Sequence, residues 1–240
     1  MNIKFSAKTD VGKKRKLNED SFCAAGDIGL FLVADGMGGH LAGEIASQIA
    51  VEITRMSLSD WLKKGPPNSE IFVKAIQLAN KGVLEMAEKG QGMKGMGTTI
   101  AGILICNGGF ATANVGDSRI YRIRNNSIEQ LSEDHSMVSM QLSKGLITKE
   151  EAKKSAYKNV ITRAIGTDKT VAVDTRDEEA MKGDVILICS DGLSSLAEDK
   201  DMLAIINSCG DLDNACEELI GLANFNGGDD NITTVLVKFL

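Results

Sequence analysis

The sequence predicts an α+β layered domain, in which antiparallel strands come in neighbouring hairpins and helices come in separate pairs. Three observations predict it. Strand-like runs follow one another with no helix between them, as "GTTIAGILIC", "GFATANVG", "SRIYRIR" and "SIEQL". Helical periodicity appears in two pairs, over 42–58 and 69–89 and again over 199–207 and 211–224. No internal repeat, low-complexity tract or proline-rich linker divides the 240 residues, so the chain is read as one domain, 1–240.

In chain order, "LNEDSF" at 17–22 opens an apolar-leaning segment at Asp20, and "LFLVAD" is a strand ending on Asp35. Gly36, Gly38 and Gly39 follow before the first helix. "KKGPPNSE", which holds both prolines of the chain, is a loop ahead of the second helix. The four strand runs then form an antiparallel meander, with "NGG" at 107–109 and "NN" at 125–126 as hairpin turns. The polar stretch 136–168, with "LITKEEAKKSAYKN", reads as short helices and loop leaving the core. "DVILICSD" is a buried strand, and the second helix pair precedes a last strand, "NITTVLVKF".

Bulk properties narrow the function. A net charge of −6, from 27 Lys+Arg against 33 Asp+Glu, argues against a general nucleic-acid binder. The longest apolar runs, such as "VILIC" at 185–189, are too short to span a bilayer, and the N-terminal stretch has no apolar core of a signal peptide. Five cysteines with no C-x-x-C pair fit a reduced, cytoplasmic setting.

The informative pattern is where the acids fall. Asp35 ends "GLFLVAD", Asp117 follows "ATANVG", Asp191 ends "DVILICSD", Asp230 precedes the last strand, and Asp20 opens an earlier one. Any one of these reads as a turn or cap residue. If all of these strand ends converge, however, the carboxylates repel one another, and divalent cations remove the conflict. Oxygen donors with no cysteine pair and only two histidines disfavour zinc and suit magnesium or manganese. Gly36, without a side chain, can offer its backbone carbonyl to such an ion. Lys13, Lys14, Arg15 and Lys16 read either as a solvated face or, through Arg15, as a two-pronged grip on phosphate. His40 either orients water and moves protons or holds the glycine turn. His135, with Asp134 or Ser136 as a cap of a short helix, reads as structural or linked to the polar excursion.

Together "TDVGKKRKLNEDSF", "LVADGMGGHLAGEIAS", "GMGTTIAGILI", "ANVGDSRIYRI", "LSEDHSMV", "NVITRAIGTD", "ILICSDGLSS" and "GGDDNITTVLV" resemble, in this order, the bacterial metal-dependent type 2C protein serine/threonine phosphatases. The resemblance implies a four-layer α-β-β-α sandwich, two antiparallel sheets flanked by helix pairs, with a Mn²⁺ or Mg²⁺ pair at one edge. It implies that Asp35 bridges the two ions, that Gly36 binds one through its carbonyl, and that Asp191 and Asp230 bind the other. Asp20, and less directly Glu19, would hold metal-bound water, Asp117 would share a third, weaker ion with Asp191, and Arg15 would bind phosphate. Asn231 and Thr98 sit in motif positions as supports. The implied reaction is direct attack on phosphoserine or phosphothreonine by a hydroxide bridging the metals, and 140–168 matches the family's flap. Implied partners are phosphoproteins, a serine/threonine kinase and its targets among them, met by a monomer away from nucleic acid and membrane.

One position departs from part of the family. Animal members carry a histidine two residues after the bridging aspartate, where this chain has Met37. The proton donor to the leaving group is thus open between metal-bound water and His40. Other readings weigh less. A pseudo-enzyme would lack Asp35, Asp191 or Asp230, a nucleotide loop would need G-x-x-x-x-G-K-[ST], and a glycosidase would need more aromatic surface than 4% supplies.

Overall fold

A computed structural model describes residues 2–38, 42–89 and 93–240. The chain opens with β1 (Ile3–Asp10), β2 (Asp20–Ala25) and β3 (Leu30–Met37), followed by α1 (Ala42–Trp61) and α2 (Ser69–Lys89). The short β4 (Gly97–Thr98) leads to β5 (Ile100–Cys106), β6 (Gly109–Val115), β7 (Arg119–Arg124) and β8 (Ser127–Gln130). Two short helices, α3 (Met137–Ser143) and α4 (Lys149–Lys154), lie in the polar excursion. Then come β9 (Asp174–Glu179), β10 (Val185–Cys189), α5 (Asp191–Ser194), α6 (Asp199–Ser208), α7 (Leu212–Phe225) and β11 (Ile232–Phe239).

The strands form two antiparallel sheets, one ordered β1-β11-β10-β7-β8 and the other β2-β3-β5-β6-β9, with β4 beside β3. The period-2 geometry of a strand explains why their central members are apolar throughout. In β3, Phe31 and Val33 face the other sheet, while Leu30, Leu32 and Ala34 face the first helix pair. In β10, Ile186 and Ile188 face inward, and Val185, Leu187 and Cys189 face the second helix pair. Both faces are covered, so alternation disappears from the sequence. Each such side chain, taken fully from water, contributes about 1.5–3 kcal/mol.

Helix α2 buries Phe72, Ala75, Ile76, Ala79 and Val83, one stripe at helical spacing, against α1 and the outer face of β6 and β9, while α1 covers β2 and β3. Helix α7 does the same for the first sheet with Ala215, Cys216, Leu219, Ile220 and Ala223. Three core clusters, helix-on-sheet, sheet-on-sheet and sheet-on-helix, make the four layers that the resemblance implied. Among the described residues no helix is long and apolar enough to cross a membrane.

The meander expectation needs correction. Strands β5 and β6 pair in one sheet and β7 and β8 in the other, and β7 pairs with β10 rather than β6. Both hairpin turns lie where the sequence places them. Asn125 and Asn126 have φ of 50° and 58°, the left-handed pair of a type I′ turn. The chain changes sheets at Gly116, whose φ of +107° lets it turn where an added Cβ would lie 2.5 Å from Thr99 Cγ2. Strands β1 and β9 have no counterpart in the sequence reading, and the first helix runs on to Trp61, past 58. β9 reads "DTRDEE", a charged edge strand whose apolar signal is nil.

Candidate metal centre

Register brings the acids together. Asp20 pairs directly with Asp35 across β2 and β3, so both side chains stand on one face. Strands β10 and β11 are also antiparallel neighbours, which puts Asp191, just after β10, near Asp230, just before β11. Asp117 arrives from the sheet-changing turn after β6. Arg15, Asp35, Gly36, Asp117, Asp191 and Asp230 line one cavity of about 230 Å³. Asn159 and Ile161, from the 136–168 excursion, close its wall. Asp20 lies behind this wall rather than on it, and its Oδ2 accepts from Ser190 Oγ (2.7 Å) and Thr233 Oγ1 (2.6 Å).

The backbone here is built around small residues. A Cβ on Gly36 would fall 2.1 Å from the Gly43 carbonyl oxygen and 2.5 Å from that of Glu19. No side chain fits, and the Gly36 N–H donates to Glu19 O at 3.1 Å. The left-handed turn itself falls at Gly38, φ +141°. Thr99 Oγ1 accepts from the Asp35 N–H (2.9 Å), and Thr98 Oγ1 donates to the Asp35 carbonyl (2.8 Å). Asn231 Oδ1 accepts from Glu19 N–H at 2.8 Å, and its Nδ2 donates to the carbonyls of Val11 and Leu17, both at 2.9 Å. That amide therefore fixes both ends of the loop carrying Arg15. Arg15 Nη2 in turn donates to Asp230 Oδ2 at 2.7 Å.

Electrostatics show the strain of this arrangement. Burial, then the charges of Asp20, Asp191, Asp117 and Asp230, push the Asp35 carboxyl well above its ordinary range. Burial pushes Asp20 up to about 7, partly offset by the Thr233 and Ser190 hydroxyls. Asp117 is likewise pushed up to about 7, by burial and then by Asp191. Asp191 is raised by burial and by Asp230. Glu19 is raised by burial as well. Buried Glu19 Oε1, Asp20 Oδ1 and Asp191 Oδ1 have no hydrogen-bond partner.

Among the described residues, no three carboxylate, thiol or imidazole groups are arranged to hold a metal ion by themselves. A cation here would complete its shell with the Gly36 carbonyl and water, as magnesium and manganese commonly do. The donor set fits such ions. It is all oxygen, it has orphaned carboxylate oxygens, and it holds carboxylates that stay uncharged or clash unless a cation neutralises them.

Every expected site residue but one is brought to this cavity or directly behind it. The exception is His40, which lies outside the described residues. Met37 lines the cavity and offers no proton. Sequence reasoning did not single out Ser190, Thr233 and Thr99 as partners of the acids, nor Asn159 and Ile161 as wall residues. A hydroxyl residue close to a strand-end aspartate was a usable signal for Ser190 and Thr233, whereas Thr99 has no aspartate near it in sequence. Nothing local marked the last two.

A sequence model of the family described as Protein phosphatase 2C matches residues 12–231. The chain belongs to that family. It is 37% identical over 246 aligned positions to the serine/threonine phosphatase stp of Listeria welshimeri, spanning 96% of this chain and 94% of that protein. Its fold matches the Streptococcus agalactiae serine/threonine phosphatase with a TM-score of 0.90, 34% identity and full coverage of both chains (100% each). It also matches the catalytic domain of the serine/threonine protein phosphatase PstP in complex with two manganese ions, with a TM-score of 0.85 and 32% identity over 98% of this chain and 97% of that one. Membership agrees with the two stacked antiparallel sheets described above.

Proposed function

We propose that this chain is a metal-dependent protein serine/threonine phosphatase that hydrolyses phosphoserine and phosphothreonine with two Mn²⁺ or Mg²⁺ ions. The observation that carries the proposal is the gathering of half-buried, repelling carboxylates with orphaned oxygens, beside an arginine, in one cavity. Family membership and the manganese-bound PstP relative support the same reading.

In this reading Asp35 would help hold both ions, Gly36 would offer its carbonyl to one, and Asp191 and Asp230 would serve the other. Asp20 and Glu19 would hold water from behind, and Asp117 with Asp191 would offer a third, weaker position. When bound, the ions supply Lewis-acid charge neutralisation and water ionised near neutral pH. Arg15 orients the phosphoryl group through its planar fork and neutralises oxygens that gain charge in the transition state. The proton for the departing serine or threonine oxygen comes either from water held by the carboxylates or from His40. The segment 140–168 is the flap, because Asn159 and Ile161 form the cavity wall that an approaching peptide meets. Phosphoproteins are the substrates, a serine/threonine kinase and its targets among them. The protein acts as a cytoplasmic monomer, a setting that suits its five unpaired cysteines.

Phosphate release from phosphoserine and phosphothreonine peptides, with Mn²⁺, with Mg²⁺ and after EDTA, tests the proposal. Turnover that EDTA abolishes and Mn²⁺ restores is expected. A folded protein without turnover in either metal contradicts it and turns the search to binding partners. Arg15→Ala is expected to lower kcat/KM by about ten- to a hundredfold, the worth of one charged hydrogen bond of about 1.5–3 kcal/mol. Unchanged steady-state kinetics would return Arg15 to the solvated surface.

A further inference from the structure

His135 is buried, at 7% exposure, outside the carboxylate cluster. Its hydrogen bonds reach three separate parts of the chain. Its ring Nδ1 lies 3.0 Å from the Gly116 nitrogen and accepts that N–H, and the His135 backbone N–H donates to Gly116 O at 2.9 Å. The ring proton is therefore on Nε2, which donates to Asp174 Oδ2 on the edge strand β9 at 3.0 Å. Its carbonyl accepts from Thr162 N at 2.7 Å. Ser136 next to it bridges Ile161, and Met137 N donates to Val160 O at 2.8 Å. Arg163 closes the group by donating through Nη1 to Asp174 Oδ1 at 2.5 Å. Asp174 is held below its ordinary range: burial opposes this, and His135 and Arg163 outweigh burial.

The two segments that His135 clamps both face the cavity. Gly116 precedes Asp117 in a left-handed turn wedged against Thr99, the residue that anchors the Asp35 N–H. Thr162 and Ile161 belong to the limb that returns from the flap and carries the cavity wall. We infer that His135 is a positioning residue, and that with Asp174 and Arg163 it fixes the flap wall relative to Asp117. The flap and the carboxylate turn then move as one body, and peptide binding at the flap is felt at the cavity. This role rests on the phosphatase reading for its kinetic consequence, though not for the coupling itself. His135 touches no reacting atom.

Two conservative variants separate its contacts. In His135→Asn the shorter amide keeps an acceptor near the Nδ1 position and abandons Asp174. In His135→Gln the longer amide reaches Asp174 and leaves the Gly116 N–H without its acceptor. Asp174→Ala, at a half-exposed position, cuts the same link from outside the core. The measurements are Gly116 amide exchange by NMR in metal-free protein, and kcat and KM for a phosphothreonine peptide and for p-nitrophenyl phosphate with Mn²⁺.

For His135→Gln, Gly116 exchange is expected to rise and kcat on both substrates to fall, each by about three- to tenfold, the worth of one hydrogen bond. For His135→Asn and Asp174→Ala, Gly116 protection and kcat should stay near wild type while KM rises for the peptide alone. Equal losses in the Asn and Gln variants would reduce His135 to a packing residue and overturn the inference. Unchanged Gly116 exchange in His135→Gln overturns it even if the wild-type protein releases no phosphate. That last failure would instead sink the phosphatase reading.

Discussion

Asp35→Asn is expected to remove turnover while leaving the domain folded. Asp35 is half-buried in the cavity wall, at the point where four other aspartates act on it. Asparagine keeps the shape but contributes one neutral oxygen, and it cannot hold two cations. Losing about 4 kcal/mol or more of transition-state stabilisation lowers kcat about a thousandfold. The variant should also melt higher than the wild type when both are metal-free, because one of the mutually repelling carboxylates is gone. Mn²⁺-dependent kinetics and thermal melts in EDTA read the two effects. Activity near the wild-type level would remove Asp35 from the chemistry.

The second large effect is a reversal of pH dependence by metal. Asp20 and Asp117 titrate near 7 in the folded metal-free chain, against 3.8 when exposed. A carboxyl raised on folding binds more protons in the native state. Its contribution is fully present below about pH 4 and is lost as pH rises toward about 7. Asp35 and Asp191 shift in the same direction. Groups held low, such as Asp184 beside Arg124, lose their contribution only as pH falls below the ordinary carboxylate range, so they do not mask the trend. Metal-free protein should therefore be more stable at pH 5 than at pH 7.5, by on the order of a few kcal/mol. Saturating Mn²⁺ should erase or invert that slope, since cations favour the ionised carboxylates. Denaturant melts at both pH values, with and without Mn²⁺, decide it. A metal-free protein more stable at pH 7.5 would mean that the acids do not interact as described.

Most of the layered architecture could be read from the chain because its evidence is local. The double-sided burial of "LFLVA" and "VILIC", the helix stripes and the Asn125–Asn126 turn each carry their own signature. The convergence of Asp35, Asp191 and Asp230 could be read only through their shared position at strand ends. What escaped depends on distant partners. Strand β9, all charged or hydroxyl-bearing, is a strand only because β6 offers it a ladder. The crossing of sheets at Gly116 looks like any other hairpin-rich stretch in sequence, yet it aims Asp117 into the cavity. Asn159 and Ile161 reach the wall because His135 and Thr98 tie down the limb on which they lie, through Thr162 and Ile165. No residue near them announces it.

Calorimetric titration of Mn²⁺ into the metal-free wild type and into Asp35→Asn tests the central claim most directly. Two ions per wild-type chain, with a third weaker one at most, and loss of this high-affinity binding in Asp35→Asn are the results expected. The same binding in both proteins, or none in the wild type, would contradict a metal centre built on Asp35.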